Sequence, residues 1–180
     1  MWSYSVLLGN DEVFDDCPDQ PNGVLNIQGL FDFSELKFDL EVENVFIEGK
    51  ATTVWDVQPT DIIQAQFELL HFERGSWNPT IYTLNIPDFC SIMWDKNQHW
   101  YKTWLHNVEN ANAIKLKCLR ERGTKFVHKR FQMDFIFESH LSDMDGIYKV
   151  RATFKALNPL LRTMRPTSIC VEIKVEFLRL

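Results

Sequence analysis

The run Tyr148-Lys149-Val150-Arg151-Ala152-Thr153-Phe154-Lys155-Ala156 decides the fold. Tyr148, Val150, Ala152, Phe154 and Ala156 alternate with Lys149, Arg151, Thr153 and Lys155. Successive strand side chains point to opposite faces, so a period of two describes a strand with one apolar and one wet face. Two other runs repeat the pattern. Phe131, Met133, Phe135 and Phe137 alternate with Gln132, Asp134, Ile136 and Glu138, and Ile169, Val171, Ile173, Val175 and Phe177 alternate with Cys170, Glu172, Lys174 and Glu176. Asp145-Gly146 and the segment from Asn158 to Pro166 separate the three runs. Strands wet on one side belong to antiparallel sheets, because parallel sheets are covered on both faces.

Upstream the same style continues. Leu36, Phe38, Leu40 and Val42 alternate with Lys37, Asp39, Glu41 and Glu43; Val45 and Ile47 follow, and Glu48-Gly49-Lys50 reads as a turn or bulge. A strand is expected to resume over Val54 to Val57, before Pro59. Residues 62–72 form another, with Ala65, Phe67 and Leu69 on one face, and residues 80–86 a short one stopped by Pro87. One segment departs from the pattern. Trp100, Trp104 and Val108 fall four apart beside Tyr101 and Leu105, a helical stripe that Asp95 is placed to cap. The expectation is an all-β, mainly antiparallel protein: a two-sheet sandwich or cup of about eight strands with one or two short helices. It forms one domain over residues 1–180.

Composition excludes several classes of function. A chain of 180 residues can bury about 70% of the surface its unfolded form exposes. With 45% hydrophobic residues, including 14 Phe and 6 Trp, it has the material for a large core and is not a disordered segment. A net charge of −6 argues against nucleic acid as a partner. The short basic cluster Lys125, Lys129 and Arg130 reads as a solvated strand face. No stretch is long and apolar enough for a transmembrane segment. Met1 to Leu8 lacks the basic flank of a signal peptide and stops at Gly9-Asn10-Asp11-Glu12, so a secreted reading takes the leader as already removed. Glycosylation lends secretion no support, because no Asn-x-Ser/Thr site is present.

Cys17, Cys90, Cys118 and Cys170 are widely spaced and form no CxxC pair, which excludes zinc ribbons and thioredoxin-like sites. Four cysteines fit either two disulfides in an oxidising compartment, in any of three connectivities, or four buried thiols. His71, His99, His106, His128 and His140 include no HExxH pair; His99 and His106 share a helix face at most, which is too few ligands for a metal. The sequence holds no nucleophile elbow, P-loop or dinucleotide fingerprint. Its carboxylates sit on the wet faces of strands, where solvation accounts for them. No metal, cofactor or catalytic residue is expected. The Phe-rich inner face with a Met among its residues fits two arrangements, an ordinary packed core or an adaptable apolar pocket between the sheets.

A series of short motifs resembles the insect CheB chemosensory proteins, which group with the ganglioside-activator and ML-type lipid-recognition proteins. They are Val13-Phe14-Asp15-Asp16-Cys17, Trp55-Asp56-Val57-Gln58-Pro59, Trp77-Asn78-Pro79-Thr80, Asp88-Phe89-Cys90-Ser91-Ile92-Met93, Trp100-Tyr101-Lys102-Thr103-Trp104, Lys117-Cys118, Gly123-Thr124, Gly146-Ile147-Tyr148-Lys149 and Arg165-Pro166-Thr167-Ser168-Ile169-Cys170. Their order spans nearly the whole chain. The resemblance implies a secreted two-sheet cup that holds a lipid tail and works in gustatory and pheromone-sensing tissue. It implies disulfides Cys17–Cys170 and Cys90–Cys118. Ganglioside activators carry more cysteines, so ganglioside specificity is not implied.

The resulting expectation is an extracellular, non-enzymatic carrier of an apolar molecule: a lipid, a fatty acyl compound or a cuticular hydrocarbon. Its lining is expected from Phe38, Leu40, Phe67, Leu69, Phe131, Met133, Phe135, Phe137, Tyr148, Val150 and Phe154. Trp100, Trp104 and Leu105 are expected to form a lid, or a mouth that touches a membrane surface or receptor. The alternative is a secreted module with a filled interior that binds a chemoreceptor or ion channel through its outer face.

Overall fold

The computed structural model describes residues 1–9, 12–41 and 44–180. Asn10 and Asp11 of the expected N-terminal stop, and Val42 and Glu43 of the first alternating run, lie outside the described residues. The described strands form two sheets, as the alternation requires. The larger contains β1 (Trp2–Leu8), β6 (Ile62–Glu73), β7 (Ser76–Ile86), β9 (Phe135–Ser139), β10 (Gly146–Leu157) and β11 (Met164–Arg179) in the order β7-β6-β10-β11-β1-β9. The short strands β2 (Asp15–Asp16) and β3 (Val24–Leu25) add to β11, β3 in parallel and every other pairing antiparallel. The smaller sheet has β4 (Phe31–Glu41), β5 (Asn44–Thr53) and β8 (Lys125–Gln132) in the order β4-β5-β8.

Register puts the apolar halves of the runs on one face. Phe67, Ala152 and Val171 lie in one row of the larger sheet, Leu69, Val150 and Ile173 in the next. Beyond them the face continues through Tyr148, Val175 and Leu8, and on the β1 side through Tyr4 and Phe137. In the smaller sheet a bulge at residues 33–34 changes the parity of β4, so Phe31 and Phe33 share a face with Leu36 and Phe38. Gly49 makes that bulge feasible. Its φ is +113°, and a Cβ there would lie 2.1 Å from the Glu35 carbonyl oxygen. Glu48-Gly49-Lys50 is therefore no turn: it runs unbroken inside β5, and the bulge beside it lies in β8, where two residues, Lys129 and Arg130, oppose Glu48.

Several local expectations need correction. The run from Phe131 to Glu138 is two strands: β8 pairs with β5, and β9 crosses to β1 in the other sheet. Residues 54–57 are not strand, because β5 already runs on to Thr53. β7 begins at Ser76 rather than residue 80; it is an edge strand and carries Pro79, whose missing N–H an edge tolerates. Within the expected helical stretch from Asp95 to Val108 the structure has only α2 (His99–Thr103) and a 3₁₀ turn at Leu105–Asn107, with the short helices α1 (Phe89–Ile92) before it and α3 (Ala111–Ile114) after it. Asp95 does not cap α2; it accepts from the Asn97 N–H and the Gln98 side chain one turn earlier. No helix among the described residues is long and apolar enough to cross a membrane.

Both disulfides join as the resemblance implies, Cys17 to Cys170 and Cys90 to Cys118. The first ties the segment after β2 to β11 across 153 residues, and the second closes the helical insertion across 28. In the loop-entropy view they add about 5 and about 3.5 kcal/mol.

Charge on the outer face is not simply solvated, which corrects the expectation for its carboxylates. Glu172 and Lys149 are only 3% and 4% exposed. Lys149 Nζ lies 3.1 Å from Glu172 Oε1, and Arg151 Nε donates to Oε2 at 2.8 Å. The Trp77 ring covers the ammonium, its centroid 4.6 Å from Nζ. Lys125, Lys129 and Arg130 do lie on a solvated strand face, each in an ion pair with a neighbouring carboxylate.

Candidate functional site

The two ends of the sandwich are built differently. At one end a single buried cluster joins both sheets: Ile63, Ala65, Phe154, Ala156 and Ile169 from the larger, and Phe31, Ala51 and Phe126 from the smaller. The helical insertion wedges between them. Trp100 stacks on Phe67 at 5.4 Å between centroids, while Trp104 packs edge-on against Phe31 at 5.9 Å and tilted against Phe126 at 5.5 Å. The wedge is anchored by polar contacts as well. Trp100 Nε1 donates to the Met93 carbonyl at 2.7 Å, and Trp104 Nε1 to His128 Nε2 at 2.7 Å.

At the other end the faces do not merge. The larger sheet carries its own cluster, Tyr4, Leu69, Tyr148, Val175 and Phe177, flanked by half-buried Val6, Leu8, Phe137, Val150 and Ile173. The smaller carries Val13, Val45 and Ile47, flanked by half-buried Leu36, Phe38, Phe131 and Met133. Leu8 borders both clusters. Val150 and Ile173 are the informative pair. They face each other in the two central strands of the larger sheet, yet remain half-buried, while Ala152 and Val171 on one side and Tyr148 and Val175 on the other are buried. The partial accessibility of Val150 and Ile173 means that the opposite layer does not fully cover the inner face at this point. Where β1, β5 and the β8–β9 crossing meet, Val6, Leu8, Val45, Met133 and Phe135, together with polar Ser5, Asn44, Gln132 and Asp134, border a cavity of about 110 Å³.

The expected lining residues thus divide. Phe38, Phe131 and Met133 flank the smaller sheet's cluster, Phe137 and Val150 the larger sheet's, and Met133 and Phe135 line the cavity. Leu69 and Tyr148 lie in the floor of the larger sheet's cluster. Phe67 and Phe154 belong to the closed end, in contact with each other and with Phe89. Leu40 is misplaced in the expected set: it pairs with Val45 on the apolar face, but near the end of edge strand β4, and is 57% exposed. Leu105, 1% exposed, packs inward and cannot touch a membrane, whereas half-buried Trp100 and Trp104 hold the position of a wedge between the sheets. His99 and His106 do not pair: His99 lies 5.9 Å from the Phe137 ring, and His106 Nδ1 meets the Tyr101 carbonyl.

Ile173, Val6 and Leu8 were not among the expected lining residues. Ile173 sits in a legible alternating run, but which member of a run faces a gap depends on the opposite layer. His128 was also missed. It is buried, and burial, the largest influence, holds its imidazole below the usual histidine range. Its Nε2 accepts from Trp104, which leaves Nδ1–H to donate to the Gly49 carbonyl at 3.3 Å. A neutral His128 therefore pins the wedge to β5. Burial likewise pushes the Tyr148 phenol up to about 12. Its ring is stacked between His71 and Phe177.

Compared with models of known protein families and with the curated proteins, the chain matches none.

Proposed function

We propose that this protein is an extracellular, non-catalytic carrier whose apolar ligand lies between the Val150–Ile173 floor and the Phe38–Phe131–Met133 wall. The observation that carries the reading is the half-buried central pair, Val150 and Ile173, at the one end of the sandwich where the two inner faces fail to join. Flexible Met133 and the rotatable aromatic rings opposite supply an adaptable apolar surface. The ligand class is a long acyl chain, a lipid or a cuticular hydrocarbon, held by burial worth about 0.8 kcal/mol per CH₂ less the cost of ordering. The cavity of about 110 Å³ is below the roughly 300–1,000 Å³ typical of ligand pockets. Binding then requires the faces to part, and the Trp100–Trp104 wedge is the element that sets their separation. The resemblance to CheB proteins gives the setting, contact chemosensation, and the disulfides fit an oxidising compartment.

The test is mass spectrometry of organic extracts from protein made in a eukaryotic secretory host, beside a delipidated and reloaded sample. Stoichiometric recovery of a long-chain compound that rebinds after removal supports the carrier. Empty extracts, with no binding from a panel of fatty acids, hydrocarbons and phospholipids, contradict it.

A second reading has its own observation. On the outer face of the larger sheet, Phe72 in the β6–β7 hairpin and Ile147 at the start of β10 are 41% and 42% exposed, and Ile81 on edge strand β7 is 78% exposed. This surface suits a receptor or channel partner. It becomes the leading account if no ligand is found.

A further inference from the structure

The turn between β10 and β11 is closed by its own hydrogen bonds and carries large apolar side chains in solvent. Asn158 Oδ1 accepts from the Leu160 and Leu161 N–H groups at 2.9 and 3.2 Å, the Asn158 carbonyl accepts from the Arg162 N–H, and the Asn158 N–H donates to the Thr163 carbonyl. Arg162 takes the left-handed conformation that closes the turn, with φ at 58°. Leu160 and Leu161 are nevertheless 90% and 71% exposed, and Met164, where β11 begins, is 50% exposed.

A second exposed leucine tip lies at the same end. Leu116, 93% exposed, follows α3. The two segments converge on Asp61, which is fully buried: Arg165 binds its carboxylate through Nε and Nη2, each at 2.8 Å, and Arg120 Nη1 donates to its carbonyl at 2.8 Å. Charge is segregated here too. Segments 115–122 and 158–165 contain six of the chain's 19 Lys and Arg but only one of its 25 Asp and Glu; with Arg165 neutralised by Asp61, five cations remain against Glu121.

We infer that this end docks on an anionic phospholipid surface. Separate aliphatic tips beside cations match a bilayer interface, with leucines below the headgroups and ammonium and guanidinium groups at the phosphates. A protein partner is the poorer match, because protein hot spots favour aromatic anchors in close-fitting pockets. The surface is independent of the proposed ligand gap. Leu157, at the start of the turn, is seven residues along β10 from Val150, about 23 Å at the rise of a strand. Docking therefore leaves the gap free.

The experiment is flotation of the full chain with vesicles of phosphatidylcholine alone or with added phosphatidylserine. The expected result is binding that needs phosphatidylserine, weakens with salt, and falls about tenfold in the Leu160→Ser/Leu161→Ser double variant. Lys117→Glu/Arg162→Glu is expected to give a similar loss. All four positions lie on turns outside the buried cores, and unchanged binding of an acyl probe by the variants keeps this test separate from that of the carrier. Equal flotation of parent and variants, or none with any vesicle, overturns the inference. So does retention by an acidic protein with no affinity for phosphatidylserine vesicles, which assigns the surface to a protein partner.

Discussion

The closed and open ends of the sandwich are made of the same residue types, and they differ in what stands between the sheets. At the closed end, Trp100 reaches the larger sheet and Trp104 the smaller, and one core results. At the open end no such wedge joins the two clusters among the described residues: Tyr4, Tyr148 and Phe177 are buried within the larger sheet's own cluster, while Phe38, Phe131 and Phe137 stay half-buried. An aromatic inner face is therefore not itself a core. It becomes one when a third element fills the distance that two twisted sheets leave between them.

The comparison can be broken first at its covalent ties. Loss of the Cys17–Cys170 link in a Cys17→Ser/Cys170→Ser variant is expected to cost about 5 kcal/mol, against about 3.5 for Cys90→Ser/Cys118→Ser. Chemical denaturation of the two variants checks the order. Side-chain truncation sharpens it. Phe126, 0% exposed at the closed end, should cost about 3–5 kcal/mol as Phe126→Ala. Phe38→Ala at the open end should cost about 1 kcal/mol, since its ring is already partly hydrated. Equal costs would mean that the open end is packed as tightly as the closed one.

Glu172→Gln addresses the outer face, where neither end of the core is involved. It leaves Lys149 buried without its counter-charge and should cost about 3 kcal/mol. The smallest effect is pH dependence at the wedge. Burial holds the folded pKa of His128 below that of the unfolded chain, so its contribution is fully present above the ordinary value near 6.5 and is lost as pH falls. Protonating Nε2 also removes the acceptor for Trp104. Thermal midpoints should decline from pH 7 to pH 5, and less so in a His128→Gln variant.

Much of this frame was legible because the information is local. The period of two placed β6, β10 and β11 and named which halves face inward. The turn chemistry of Asp145-Gly146 and of Asn158 to Pro166 separated the runs. Other features depend on distance in space. The alternation from Phe131 to Phe137 keeps its phase while the chain changes sheets, so parity cannot reveal the crossing at residues 133–134. Glu172 and Lys149 stand at wet-face positions, and it is the fold that lays Trp77 over them. Leu40 keeps its inward parity but lies near the end of an edge strand. The half-burial of Val150 and Ile173 likewise depends on the layer opposite, which no single strand encodes.

The most direct test of the central claim is calorimetric titration of a long-chain fatty acid into delipidated protein, with Val150→Phe as its companion. The account predicts one ligand per chain with a negative heat-capacity change, the mark of buried apolar surface. It also predicts loss of that binding in Val150→Phe, where the added ring occupies the gap while the closed-end core keeps the protein folded. Undiminished binding in Val150→Phe, or none in the parent, would contradict it.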